Sequence, residues 1–93
     1  MMNGSLIAAI LAAGLLVGCA GQHQADLAAE CDRGLDAGFK ELESAKTRGL
    51  DGTVDWSKAA ALLSAAKIQR QFEKYPNCIE KVERARFYLN EAK

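Results

Sequence analysis

The sequence predicts an all-α protein, an up-down-up bundle of three helices that follows an uncharged N-terminal segment. Three observations lead there. Only 6% of the 93 residues are aromatic and alanine is abundant, a composition that suits helix better than sheet. Apolar residues recur at alternating steps of three and four along three separate stretches, the spacing of one helix face. Two breaks divide those stretches, "GLDGTV" at 49–54 and the single proline at 76. The length allows one domain.

The first element is a leader. Residues 6–18 read "LIAAILAAGLLVG" without a charge, and all 12 basic and all 12 acidic residues follow Cys19. The run falls short of the about 20 residues that span a bilayer comfortably. Its length suits the apolar core of an export signal. It ends in Leu16-Val17-Gly18-Cys19. There the sequence resembles the lipobox of bacterial lipoproteins, a likeness that covers roughly residues 1–20. The resemblance implies that residues 1–18 are removed as a lipoprotein signal peptide. Cys19 then becomes the N-terminus, with a diacylglyceryl group on sulfur and a further acyl chain, such as palmitate, on its amine. Such chemistry needs cysteine because the thiolate is the nucleophile that forms the thioether. The opening "MMNGS" carries no Lys or Arg, so only the amino terminus supplies positive charge to the signal. Ala20, rather than Asp, follows the lipobox, which implies the outer membrane, periplasmic face, with the inner membrane as the alternative. Each buried methylene contributes about 0.8 kcal/mol, and two or more chains anchor stably. The bland alternative is an uncleaved anchor helix with an incidental cysteine.

Residues 19–25 read as a short polar tether and residues 26–93 as the three-helix domain. His23, the only histidine, is a solvated tether residue with no metal-ligand partners at suitable spacing. Fully extended, residues 20–25 reach about 20 Å, so the body stays near the membrane surface.

The first helix is expected over about 25–47. Ala28, Cys31, Leu35, Gly38, Leu42 and Ala45 form its inward stripe, with Leu27 and Phe39 beside it. Asp26 and Glu30 suit its start, Lys46 and Arg48 its end, and Gly49 stops it. Gly34 and Gly38 each cost about 1 kcal/mol against alanine. They allow either a close helix approach or a bend near Gly34. The second helix is expected from Trp56 to about Tyr75, with Asp55 as its cap. Ala61, Ala65, Ile68, Phe72 and Tyr75 form its stripe, widened by Leu62, Leu63 and Ala66, and Trp56 covers one end of the core. Pro76 ends it. Asn77 caps the third helix with Glu80 as its box partner. Cys78, Val82, Ala85, Leu89 and Ala92 point inward, and Glu80 pairs with Arg84.

Three cysteines become two once Cys19 is set aside. An even remainder in an oxidising compartment reads as a Cys31–Cys78 disulfide. The alternative is two buried small hydrophobes. Helix lengths favour the bridge. From Cys31 the chain rises roughly 26 Å to Arg48 and descends roughly 30 Å from Asp55 to Tyr75, which returns it to the level of Cys31. The same register sets the acidic start of the first helix (Asp26, Glu30, Asp32) beside Lys67, Arg70 and Lys74.

Balanced charge, 12 basic against 12 acidic residues, argues against nucleic acid as a partner. No catalytic set, phosphate loop, metal cluster or cofactor motif is evident, so the expectation is a protein that is not an enzyme. The best surface candidate is "RARFYLNEAK" at 84–93, where Arg84, Arg86, Phe87 and Tyr88 mix aromatic and basic character as binding hot spots do. The bland alternative is that Phe87 or Tyr88 widens the core face. Residues 55–89 also faintly resemble a tetratricopeptide-type hairpin, through recurrent alanines and the Tyr75-Pro76 break, without the glycine–tyrosine pattern of its first helix. More broadly the body resembles small helical envelope lipoproteins. The function expected is protein binding or structural support in the envelope, held to the membrane by lipid. The alternative is a periplasmic inhibitor or protective factor against a toxin, hydrolase or phage component.

Overall fold

The turn that ends the first helix and the cap that starts the second set the bundle's direction. Gly49 adopts φ 82°, and its N–H donates to the carbonyl of Lys46 at 2.9 Å. That left-handed position suits glycine and reverses the chain. A 3-10 turn over Leu50–Gly52 follows. Thr53, not Asp55, then caps the second helix. Its Oγ1 accepts from the N–H of Trp56 at 3.2 Å and donates to the carbonyl of Leu50 at 2.7 Å. Asp55 lies in the first turn, where its charge suits the helix dipole. Thr53→Ala is therefore expected to cost about 1–2 kcal/mol in urea unfolding, and Asp55→Ala clearly less. Equal costs would return the capping role to Asp55.

This computed structural model describes the backbone of residues 2–92 and the side chains of residues 21–92. Three helices make it up: α1 (Met2–Thr47), α2 (Val54–Gln71) and α3 (Tyr75–Glu91). There is no strand among the described residues. The signal peptide expected over 1–18 and the lipidation site Cys19 lie outside the described side chains. Residues 21–25, expected as a tether, are the exposed continuation of α1. Among the described residues no helix is long and apolar enough to cross a membrane.

α1 runs unbroken through Gly34 and Gly38. The two glycines serve close approach. A Cβ on Gly34 would lie 3.0 Å from Val82 of α3, and one on Gly38 would lie 2.6 Å from Leu63 of α2. The stripe of α1 is buried from Cys31 to Ala45 as its spacing predicts, with Cys31 and Ala45 fully enclosed, while Ala28 at its start is only half-buried. So is that of α3, through Cys78, Val82, Ala85, Leu89 and Ala92.

α2 departs from expectation twice. It ends at Gln71, not near Tyr75. Glu73 takes φ 59°, its N–H donates to the carbonyl of Arg70 at 3.0 Å, and the N–H of Lys74 reaches the carbonyl of Gln69 at 2.9 Å. Those two bonds form a Schellman motif with glutamate where glycine is usual. Pro76 consequently starts α3 rather than ending α2; it sits in the first turn, where no N–H is needed. Asn77 lies inside that turn and caps nothing, and Glu80 and Arg84 do not pair. A left-handed non-glycine residue costs roughly 1–2 kcal/mol. Glu73→Gly is thus expected to raise the urea midpoint, and an unchanged or lowered midpoint would count against strain at this turn.

The second departure is rotational. The core residues of α2 are Ala59, Leu63 and Ala66, with Trp56, Ala60 and Leu62 packed beside them. Of the expected face, Leu63 and Ala66 are buried and Leu62 and Tyr75 pack against the core, but the stripe itself turns away: Ala61 is exposed, Ile68 is 52% exposed and Phe72 71%. Two contacts hold the observed rotation. Leu63 fills the recess over Gly38, and the indole N–H of Trp56 donates to the carbonyl of Leu42 at 3.0 Å.

Candidate docking groove between the first and third helices

Cys31 and Cys78 form a disulfide, with Cα atoms 5.8 Å apart. It ties α1 to the start of α3 at the lower end of the bundle, and both residues are fully buried. Nearby, Arg70 of α2 grips Asp32 of α1 through two hydrogen bonds, Nε to Oδ1 at 2.6 Å and Nη2 to Oδ2 at 3.1 Å. This is the acid–base match expected between the start of the first helix and the end of the second. The guanidinium holds the Asp32 carboxyl below its usual range, chiefly through that hydrogen bond. A carboxylate with a depressed folded pKa adds stability that is fully present above the unfolded value near about 4 and is lost as pH falls through the folded value. Asp32→Asn should therefore lower the urea midpoint at about pH 5 and converge with the wild type toward about pH 2. A constant gap across that range would remove the ion pair from the explanation.

Above the bridge, α1 and α3 leave an open groove of about 670 Å³. Small residues on α1 create it, since Gly34 and Ala37 form its floor with Ile79 and Val82 of α3. Its walls carry charge of both signs, including Glu30, Arg33 and Glu83. Arg86 and Glu41 bridge across the seam, with Arg86 Nη2 donating to Glu41 Oε1 at 2.6 Å and Nε to both carboxylate oxygens at 3.0 Å. The pairing raises the Arg86 pKa above its already high ordinary value, so this side chain stays charged. A smaller hollow of about 250 Å³ continues the seam upward past Ser44 and Leu89.

The four residues singled out from the sequence do not form one patch. Phe87 borders the groove and is 58% exposed. Arg86 lines the groove but is committed to Glu41. Tyr88 turns the other way, packs against the core, and lies under Lys58 of α2, whose Nζ is 5.1 Å from the ring centroid. Phe87 meets Tyr88 edge-on at 5.5 Å. Arg84 is exposed and lines neither hollow. Sequence reasoning missed the contribution of α1, because Gly34, Ala37 and Glu41 become a surface only when α3 lies against them. Their spacing of three and four, on the flank of the buried stripe, is the one signal that could have found them.

Among the described residues no cluster of His, Cys, Asp and Glu is placed to hold a metal ion. Compared with family models, curated proteins and solved structures, the chain finds no match.

Proposed function

We propose that the protein is a small lipoprotein, anchored by lipid on Cys19 at the periplasmic face of the outer membrane, whose helical body binds another envelope protein without catalysing a reaction. One observation carries the reading. Cys31 and Cys78 pair, which leaves Cys19 as the single remaining cysteine, and it stands in the box "LVGC" behind an uncharged run. A structural disulfide belongs to an oxidising compartment, the one that a lipoprotein signal reaches.

The α1–α3 groove supports the binding role. It offers an apolar floor, a bordering aromatic ring and charges of both signs within one open channel. That mixture suits a short protein segment that inserts one apolar side chain beside Phe87 and pairs its own charges along the walls. Mass spectrometry of the mature N-terminus tests the anchor. The expected species begins at Cys19 and carries acyl chains; an intact Met1 would refute it. Crosslinking in cells tests the groove. Phe87→Ala should reduce partner crosslinks from a probe in the groove several-fold, with the bundle intact, and unchanged crosslinking would dismiss this site.

A further inference from the structure

Cations follow one another along the α1 wall of the seam between α1 and α3. Arg33 lines the larger groove, and Lys40 and Arg48 line the smaller hollow above it. They stand seven and eight residues apart, rises of about 10 and 12 Å. All three are exposed. Two acids of α1 reach the same seam. Glu41 is neutralised by Arg86, whose Nη2 lies 2.6 Å from it, and Glu30 sits at the lowest edge. Lys40 also meets Asp36 at 3.0 Å, an exposed pair that a partner's carboxylate exchanges at little cost. The α3 wall differs. It offers Phe87, Asn90 and one acid, Glu83. Among the described residues Arg33, Arg48 and Glu83 form no ion pair. The seam therefore has a basic wall, an acidic and aromatic wall, and the small apolar floor of Gly34, Ala37, Ile79 and Val82 between them.

We propose that the occupant of this seam is an amphipathic helix of the partner protein, with acidic residues about seven apart on the edge that meets α1 and a basic residue on the edge that meets Glu83. The proposal rests on the docking role given to the groove above and names the chemistry of what docks. Backbone chemistry selects a helix. α1 and α3 spend their own N–H and C=O groups internally, so an extended segment would find no backbone partners between them, whereas a helix satisfies its own. Spacing agrees. Arg33 and Lys40 stand one heptad apart, the repeat at which a helix lying along the seam presents the same edge. Gly34 and Ala37 lower the floor, which lets the backbone of such a helix come close. Charge selects the edges. Carboxylates on one side meet Arg33, Lys40 and Arg48, and a cation on the other meets Glu83. A polyanion fits less well, because Glu30 and Glu83 repel it and the apolar floor stays uncovered.

Fluorescence anisotropy with the full chain and synthetic helical peptides of about three heptads tests the match. One peptide carries a leucine stripe, glutamates a heptad apart on one edge and lysines on the other. A second has lysines on both edges. A third keeps the charges of the first and replaces its leucines with glutamine. The first is expected to bind at least about five-fold more tightly than either of the others. Arg33→Glu combined with Lys40→Glu should turn the preference toward the lysine-edged peptide, with helix content unchanged by circular dichroism. No binding of the first peptide up to about 1 mM would overturn the proposal. Equal binding of the third would also overturn it, since charge alone would then account for the attraction. A preference that the double reversal leaves unchanged would overturn it as well, and Phe87→Ala then separates two cases. If Phe87→Ala weakens binding, the groove docks a partner of other chemistry; if it does not, the docking role of the groove falls too.

Discussion

Replacing Cys31 and Cys78 together with alanine is expected to lower the melting temperature by about 15–30 °C. The bridge joins residues 47 apart in sequence. In the chain-entropy model a loop of that size removes about 4 kcal/mol of unfolded-state freedom. Each kcal/mol shifts the midpoint of a domain this small by about 4–8 °C. The effect is large because the core is small. Its buried hydrophobic side chains are mostly alanine, leucine and cysteine, and no buried aromatic ring is among them. Both sulfurs are fully enclosed, so native thiol labelling does not distinguish a bridge from two hidden thiols. The decisive measurement is alkylation after unfolding without reductant. Cys31 and Cys78 should remain unlabelled until reductant is added. If both label on unfolding alone, or if the double variant melts within a few degrees of the wild type, the bridge is not what holds this bundle.

Gly38 and Leu63 should show the strongest coupling of any non-covalent pair in the core. Leu63 is fully buried, and its Cδ2 would lie 2.6 Å from a Cβ placed on Gly38. Leu63→Ala alone is expected to cost about 2–5 kcal/mol, through lost burial and the cavity left behind. Gly38→Ala alone gains about 1 kcal/mol of helix propensity and meets an overpacking cost of about 1–3 kcal/mol, so it is neutral to destabilising. With Leu63→Ala present the clash is gone. Gly38→Ala should then stabilise by about 1 kcal/mol. A double-mutant cycle in urea should therefore return a favourable coupling of about 1–3 kcal/mol. A coupling near zero would mean that α1 and α2 do not meet at this point.

The outcome for α2 shows what a single sequence leaves open. Two stripes satisfy helical spacing on that helix. One is Ala59, Leu63 and Ala66; the other is Ala61, Ala65, Ile68 and Phe72. The second is longer and bulkier, so periodicity alone favours it. The structure buries the first, so that Leu63 and Ala66, expected only to widen the inward face, are its centre. Its small residues fit where the helices approach closely, and Leu63 has a recess waiting over Gly38 on another helix. Neither condition is visible from α2 itself. The end of α2 was hidden for a related reason. Glu73 occupies a left-handed position without glycine's signature, and only the hydrogen bonds from the N–H groups of Glu73 and Lys74 reveal it.

Some features depended on local chemistry and were legible in the chain. The stripes of α1 and α3 each had one apolar face to offer, so their inward sides could be named in advance. Gly49 announced its turn because few other residues take φ near 82°. The Cys31–Cys78 pairing followed from the even number of cysteines left after Cys19 and from their inward positions, with the rise of about 1.5 Å per residue bringing them to one height. Tertiary structure alone decided the rotation of α2, the turn of Tyr88 onto the core while Phe87 stays at the groove, and the groove built by Gly34 and Ala37 beside α3. Each of these depends on what a neighbouring helix presents at a given height. Periodicity along one helix lists the faces available for burial, and the partner's shape selects among them.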